Sequence, residues 1–476
     1  MNIDFLKNII YWQDYGDPKS GYKVLDKKII KKYNATRSFS NKKHICNAPF
    51  TALRFDLNGQ VLVCCYNKTH ILGNYPEDSI VSTWNGENAK QLRKYLAKND
   101  LTLGCNICRA HLMNDSFFSV KSRLYDHLSP LKKQPVLLEF ELDNTCNLEC
   151  IMCNGEVSSM IRKKENNKPV FKTKYDKNFL EQLKPILPKI QQANFIGGEP
   201  LLIPVYFDII EEIVRVNPKA RINISTNGTI LNDRIKKIME AGNFDISVSI
   251  DSIDKGTYEF IRKNADFEKT FSNLKYFHNY CKQNKRHFSI WVCPLTVNRF
   301  EIPDIFDFFN ALNVPVYLNN VINPINLSIA SLPSNELQIL KKHYQSFVFK
   351  NKTEIASENF SRFNEFINQI NDWIQLAEKN RGLRQDAGIE DILSIIMRNL
   401  EEHYKIKYPS ELDNKNYFRV ATQKINSVLC HFENGIILKE ILIHFSNYNI
   451  IEFAQIIETK SEDFLIEYLN NNFTKK

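Results

Sequence analysis

No stretch of the chain approaches the ~20 uninterrupted apolar residues that span a bilayer, which argues against a helical membrane protein. The opening residues, MNIDFLKNIIYWQDYG, lack a basic n-region followed by an apolar h-region, so no secretory signal is expected and the cytoplasm is the expected location. Neither an internal repeat nor a long low-complexity linker is present, which sets aside solenoids and extended arrays. Charge of one sign is also not in strong excess. The 63 Lys and Arg against 54 Asp and Glu give a net +9, spread along the chain. The basic runs Lys27-Lys28, Lys31-Lys32 and Arg162-Lys163-Lys164 are short. A solvated surface accounts for them, so nucleic acid is not an expected partner; contact with nucleic acid or an acidic peptide is the alternative. What remains, 43% hydrophobic and 25% charged over 476 residues, fits a globular chain of two to three domains.

Cysteine carries the information. Eight of the eleven fall between Cys46 and Cys153, and in a cytosolic protein such clustering points to metal or catalysis rather than disulfides. Four stretches separate by pattern: an extension over 1–45, a cysteine-rich segment over 46–115, alternating strands and helices over 130–325, and helices over 326–476. In the second, the alternation Ala52–Phe55, the turn Asn58-Gly59 and the run Val61–Val63 read as a hairpin, followed by a helix near Asn88–Ala97. In the third, strands are expected at Val136–Leu142, Ala193–Ile196, Ala220–Ser225, Phe244–Ile250, Phe288–Cys293 and Val316–Leu318. Each of the first five is followed by a helix-period segment, Val205–Val214 and Asp233–Ala241 most clearly. Six strands joined by right-handed helical crossovers predict an α/β fold: a partial (β/α)6 TIM-type barrel, with an N-terminal cysteine-rich α+β auxiliary domain and a helical C-terminal region. The C-terminal helices are expected at Glu336–Phe347, Glu365–Glu378, Glu390–Glu402 and Ile436–Phe445.

After the first barrel strand comes Cys146-Asn147-Leu148-Glu149-Cys150-Ile151-Met152-Cys153, a C-x3-C-x2-C spacing on a loop. With cysteine at about 2% of residues, both partners at fixed offsets is a roughly one-in-two-thousand coincidence per cysteine. Thiolates select zinc or iron–sulfur clusters, and tetrahedral zinc wants a fourth ligand that is not nearby. Three thiolates on a four-iron cluster leave one iron open. The alternatives are incidental buried cysteines or a zinc knuckle.

This loop resembles that of radical S-adenosylmethionine (radical SAM) enzymes. The resemblance implies a 4Fe-4S cluster on Cys146, Cys150 and Cys153, whose open iron chelates the amino and carboxylate groups of SAM. Met152 stands where the family usually has an aromatic residue near the adenine. Gly197-Gly198-Glu199-Pro200, at the end of the second strand, is similar to the motif that contacts the SAM amino group. An ordinary turn is the alternative. Ser225 and Asn227, ending the third strand, resemble the ribose-contacting position. Ser249 and Asp251, ending the fourth, and Arg262 downstream match further SAM-site positions, with a solvated helix as the alternative for Arg262. All lie at the C-terminal ends of parallel strands, where barrel enzymes build their sites. The fifth strand departs from the family: it ends Cys293-Pro294-Leu295-Thr296-Val297-Asn298, without the glycines that contact adenine, leaving Thr296 and Asn298 as substitutes. Cys293 is a candidate hydrogen donor, with a buried core thiol as the alternative.

Cys46, Cys64, Cys65, Cys105 and Cys108 resemble the SPASM/twitch module of peptide-modifying radical SAM enzymes, here placed ahead of the barrel. The resemblance implies a second, auxiliary 4Fe-4S cluster on Cys46, Cys64, Cys105 and Cys108, with Cys65 spare or replacing Cys64. A four-cysteine zinc site is the alternative. The implied activity is reductive cleavage of SAM to a 5′-deoxyadenosyl radical that abstracts hydrogen from a peptide or small-molecule substrate, a ribosomally made peptide being one class. The implied partners are SAM, that substrate and an electron donor such as flavodoxin or ferredoxin, with no membrane. The rivals are an RNA-modifying radical SAM enzyme and a non-catalytic iron–sulfur or zinc-binding interaction protein.

Overall fold

The computed structural model describes residues 25–474, apart from 38–41, 43, 114, 116, 132, 165–168, 322–323, 351, 387, 408–410 and 448–449. Most of the 1–45 extension, including the opening sixteen residues, therefore lies outside the described residues.

Among the described residues one nine-stranded sheet organises the fold, in the order β3-β2-β1-β4-β5-β6-β7-β8-β9. Strands β4 (Leu137–Phe140), β5 (Gln192–Phe195), β6 (Arg221–Thr226), β7 (Phe244–Ser249), β8 (Phe288–Val292) and β9 (Val316–Leu318) are the six expected ones, each parallel to the next. The helices Pro204–Val216, Asp233–Ala241, Phe267–Gln283 and Ile302–Ala311 make crossovers of the expected kind. The hairpin β1 (Ala52–Phe55) and β2 (Gln60–Leu62) joins the same sheet rather than standing apart, and β3 (Gly73–Asn74) extends it further. β1 runs parallel to β4 in the register Arg54↔Glu139 and Phe55↔Phe140, and Phe55 stacks on Phe140 with ring centroids 5.8 Å apart.

Strand alternation divides the barrel into two faces. Leu138, Phe140, Ala193, Phe195, Ile222, Ile224, Ile246, Val248, Ile290 and Val316 are buried and belong to one apolar core with residues of the surrounding helices. The other parity is polar: Glu139, Asn194, Asn223 and Asp245 lie in register across β4–β7, and Ser225, Ser247 and Ser289 across β6–β8. A barrel interior packed with branched side chains would be a filled core; this inner face suits a ligand-bearing lumen.

The helices Ser334–Ser346 and Glu354–Asp386 add Leu337, Leu340, Tyr344, Phe363, Phe366 and Ile370 to the main core. The second of them covers the edge strand β9. Asn359, fully buried, accepts the Val316 N–H (2.9 Å) and donates to the Val314 carbonyl (3.0 Å). Helices Ile389–Lys407, Glu411–Leu429, Gly435–Asn447, Ile450–Thr459 and Glu462–Leu469 enclose a second core around Leu400, Tyr404, Ile441 and Leu442. Among the described residues no helix is long and apolar enough to cross a membrane.

Candidate functional site

The cysteine loop leaves β4 and is fastened on both flanks. Ser159 N–H donates to the Asn144 carbonyl (2.8 Å), Cys146 N–H to Ser159 Oγ (3.1 Å), and Ser158 Oγ to the Leu148 carbonyl (2.8 Å). On the other side Glu149 and Ile151 donate their N–H groups to the carbonyls of Lys263 and Ile261, both 3.0 Å. This pairing brings Arg262 beneath the thiols. Burial pushes Cys146 up to about 11. The Cys150–Cys153 hydrogen bond, with burial behind it, pushes Cys150 up, and the same bond holds Cys153 below the usual thiol range. Met152 lies half-buried in the turn between those two.

The Gly-Gly-Glu-Pro turn packs against this loop backbone to backbone. A Cβ on Gly198 would lie 2.3 Å from the Thr145 carbonyl oxygen, and Gly197 adopts φ +117° with the Asp143 carbonyl 2.9 Å from its would-be Cβ. The glycines thus serve the approach of turn to cysteine loop. Glu199 is fully buried and accepts from Thr226 Oγ1 (2.7 Å), Asn227 N–H (2.7 Å) and Leu201 N–H (3.0 Å). Burial raises its pKa, opposed by those three donors. Most of the carboxylate's acceptor capacity is therefore spent on the ends of β5 and β6, a bracing role that the motif alone does not reveal. Pro200 is buried behind it.

Asn227 donates to Asn147 Oδ1 (3.0 Å) and its own Oδ1 accepts from Thr229, tying the end of β6 to the cysteine loop. Ser225 is exposed and Ser249 half-buried on the inner face. Asp251, fully buried, pairs with Arg262 Nη2 at 2.8 Å and accepts the Cys293 N–H at 2.7 Å. Burial raises the Asp251 pKa against the pull of Arg262. Arg262 is itself buried, which resolves its alternatives against a solvated helix, and its Nε has no hydrogen-bond partner among the described residues. A buried guanidinium with a donor to spare fits a carboxylate-bearing ligand. Burial works against the Arg262 charge, but Asp251 and the surrounding thiols keep it firmly protonated.

Cys293 sits half-buried in this group, its thiol pushed up by burial. Asn298 is fully buried beside it. Its amide donates to the carbonyls of Asp251 (2.7 Å) and Cys293 (3.0 Å) and accepts the Leu295 N–H (2.7 Å), so it braces the end of β8. Thr296 turns to the Asn326 carbonyl, 3.1 Å away.

The second cysteine group rings a separate cavity lined by Cys46, Cys64, Cys105 and Cys108 together with Tyr66, Asn67, Lys121 and Tyr125. Cys65 is not among the lining residues. Three of the four sulfurs receive N–H donors at 3.4 Å: Cys46 from Ala48, Cys64 from Asn67, and Cys105 from the Asn67 side chain. Cys108 faces the backbone N–H groups of Lys121 and Ser122. Burial and mutual repulsion raise all four thiols, Cys64 to about 12 and Cys108 to about 11. Four such thiols cannot ionise together without a cationic group between them, and N–H···S donors are what a cluster's thiolates receive. Among the described residues no three His, Cys, Asp or Glu side chains converge on an ion-sized point.

Missing from the sequence argument was the inner face of the barrel. Arg54 is ion-paired to both Glu139 and Glu141, Trp291 stacks on Tyr317 (5.1 Å), and Arg362 lies 4.4 Å over the Tyr317 ring. The signal was available: polar residues recur at every second position of β5, β6 and β7, whose other parity is mainly apolar.

Residues 141–309 match the family model described as the radical SAM superfamily, and residues 46–109 the one described as an iron–sulfur cluster-binding domain. Residues 141–309 belong to the radical SAM superfamily. The radical SAM domain, with the iron–sulfur domain ahead of it, accounts for both cysteine groups. GTP 3',8-cyclase of Aquifex aeolicus is 27% identical over 249 residues, covering 50% of this chain and 73% of the cyclase. GTP 3',8-cyclase of Clostridium botulinum is 23% identical over 170 residues, covering 36% of this chain. The chain spans about half, 49%, of the length of that clostridial relative. Among solved structures, "Native anSMEcpe with bound AdoMet" is 22% identical with a TM-score of 0.33, covering 44% of this chain and 59% of that one.

Proposed function

We propose that this chain is a radical SAM enzyme that cleaves SAM reductively and abstracts a hydrogen atom from a substrate held in the barrel lumen. The observation that carries the reading is the three-thiol loop, fastened over a buried Arg262 with an unpartnered donor. Cys146, Cys150 and Cys153 would hold the SAM-binding 4Fe-4S cluster, and Cys46, Cys64, Cys105 and Cys108 the auxiliary one. Bound with SAM, a cluster on these three thiols of the Cys146–Cys153 loop would supply the one-electron reduction that cleaves the sulfonium C–S bond, the source of the hydrogen-abstracting chemistry.

The chain's own residues bind and orient. Arg262, charged and held by Asp251, would receive the SAM carboxylate; Ser225, Ser249 and Asn227 edge the space where the nucleoside would lie. Glu199 would act chiefly by holding the ends of β5 and β6 against the cysteine loop. The lining of the auxiliary cavity favours Cys64 over Cys65, and a ring of thiols around a cavity suits a cluster better than a single zinc ion. The division follows these roles: 46–115 for the auxiliary cluster, 130–325 for the SAM site, 326–476 for covering and partner contacts. A flavodoxin- or ferredoxin-type donor would supply the electron, and the resemblance of the cysteine-rich segment extends the substrate to a ribosomally made peptide.

Iron counting on anaerobically reconstituted variants tests the assignment. Wild type should hold about eight irons, Cys64→Ser and Cys150→Ala about four each, and Cys65→Ser about eight. An unaltered iron count in Cys150→Ala, or one zinc lost from Cys64→Ser in place of iron, would sink it.

A further inference from the structure

We propose that Glu141 is the substrate anchor of the lumen and that it takes a cationic nitrogen, an ammonium or guanidinium on an apolar stem, rather than a phosphorylated nucleoside. The inference deepens the radical SAM reading and rests on it. Glu141 follows β4 on the inner face, five residues ahead of Cys146, and its Cγ is 3.8 Å from where a Gly197 side chain would begin. It therefore sits directly below the turn that backs the cysteine loop.

Its charge is not fully answered. Arg54 is one guanidinium serving two carboxylates, which leaves this cluster a net negative charge. Glu139 has both oxygens engaged, one by Arg54 and the other by Asn194 Nδ2 at 3.3 Å. Glu141 gives one oxygen to Arg54, while the second accepts no hydrogen bond among the described residues and the side chain keeps 23% exposure. A half-buried carboxylate with an open oxygen calls for a charged donor. Around it the lumen offers hydroxyls and amides, with the Trp291–Tyr317 pair as an apolar wall in register with Ser249.

The same face is poor in charge for a phosphate. Among the described residues, Arg221 and Arg286 pair with Asp245, Arg362 with Glu358 and Arg54 with the two glutamates, while Arg262, paired with Asp251, keeps its one spare donor beneath the cysteine loop for the SAM carboxylate. A nucleoside triphosphate would bring several negative charges to a site whose nearest open group is a carboxylate.

Anaerobic titration calorimetry of the reconstituted full chain with saturating SAM tests this. The probes are Nα-acetyl-lysinamide, acetyl-Gly-Lys-Gly-amide, Nα-acetyl-norleucinamide and GTP. The lysine probes should bind at least about tenfold tighter than the norleucine probe, and GTP should not bind. Glu141→Gln should lower lysine-probe affinity by about tenfold or more while SAM affinity holds; Glu139→Gln, with its oxygens already engaged, should cost less. A tighter tripeptide identifies a peptide side chain as the source, and equal affinities a free amine; both rankings support the proposal. Equal binding of norleucine, binding of GTP, no lysine binding, or loss of SAM affinity in Glu141→Gln would overturn it. Lysine binding by a protein that neither binds nor cleaves SAM would instead defeat the radical SAM reading and leave the anchor standing.

Discussion

Gly198 shows how a cofactor motif and a packing requirement coincide in one residue. Its absent side chain is what lets the turn after β5 meet Thr145 of the cysteine loop, since a Cβ there would lie 2.3 Å from a carbonyl oxygen. Gly198→Ala must push loop and turn apart. The expected outcome is a loss of about 1–3 kcal/mol in stability and loss of the SAM-site iron with retention of the auxiliary iron, read by melting and iron counting. At this scale the cysteines were legible because their chemistry and spacing are local. In the sequence Glu199 is legible as part of a SAM amino-group motif and Asn298 as a substitute adenine contact, neither as a brace. Their satisfied, bracing roles depend on partners that come from other strands, Thr226 and Asn227 for one, Asp251 for the other. Glu141 went unseen because a glutamate beside a strand is ordinary until its neighbours across the lumen are known.

Elements of the barrel were legible to within a residue or two, since alternation and helical period are written along the chain; Asp233–Ala241 and Val316–Leu318 match their expected bounds. The union of the hairpin with the barrel sheet was not. Pairing of β1 with β4 depends on Phe55 and Phe140 finding each other across eighty-odd residues, which no local pattern encodes. The long helix over β9 is a second case. Asn359 substitutes for a missing strand partner, and Asn359→Leu would keep the volume but strand the Val316 N–H and the Val314 carbonyl. A loss of about 3 kcal/mol is expected in denaturant titration; an unchanged midpoint would show that β9 does not depend on this cap.

At the scale of the whole molecule, the described residues form two hydrophobic cores, one running from Leu25 to Ile374 and the other from Ile392 to Leu469. In the second, burial lowers the pKa of His444 to about 4. The unfolded chain, with His444 near the ordinary value, takes up a proton that the folded bundle refuses. Stability from this group is thus present above about pH 6.5 and is lost as pH falls toward 4, by up to roughly 3 kcal/mol. His444→Phe should flatten that limb of the pH–stability curve measured by calorimetry; an unchanged slope would place the dependence elsewhere.

The account turns on SAM chemistry at the cysteine loop. Its most direct test is an anaerobic assay of the reconstituted protein with SAM and dithionite, following 5′-deoxyadenosine. The account predicts 5′-deoxyadenosine and methionine from wild type and none from Cys150→Ala. Equal formation by both proteins, or none from a wild type that holds its full iron and is supplied with a bound lysine probe, would contradict it.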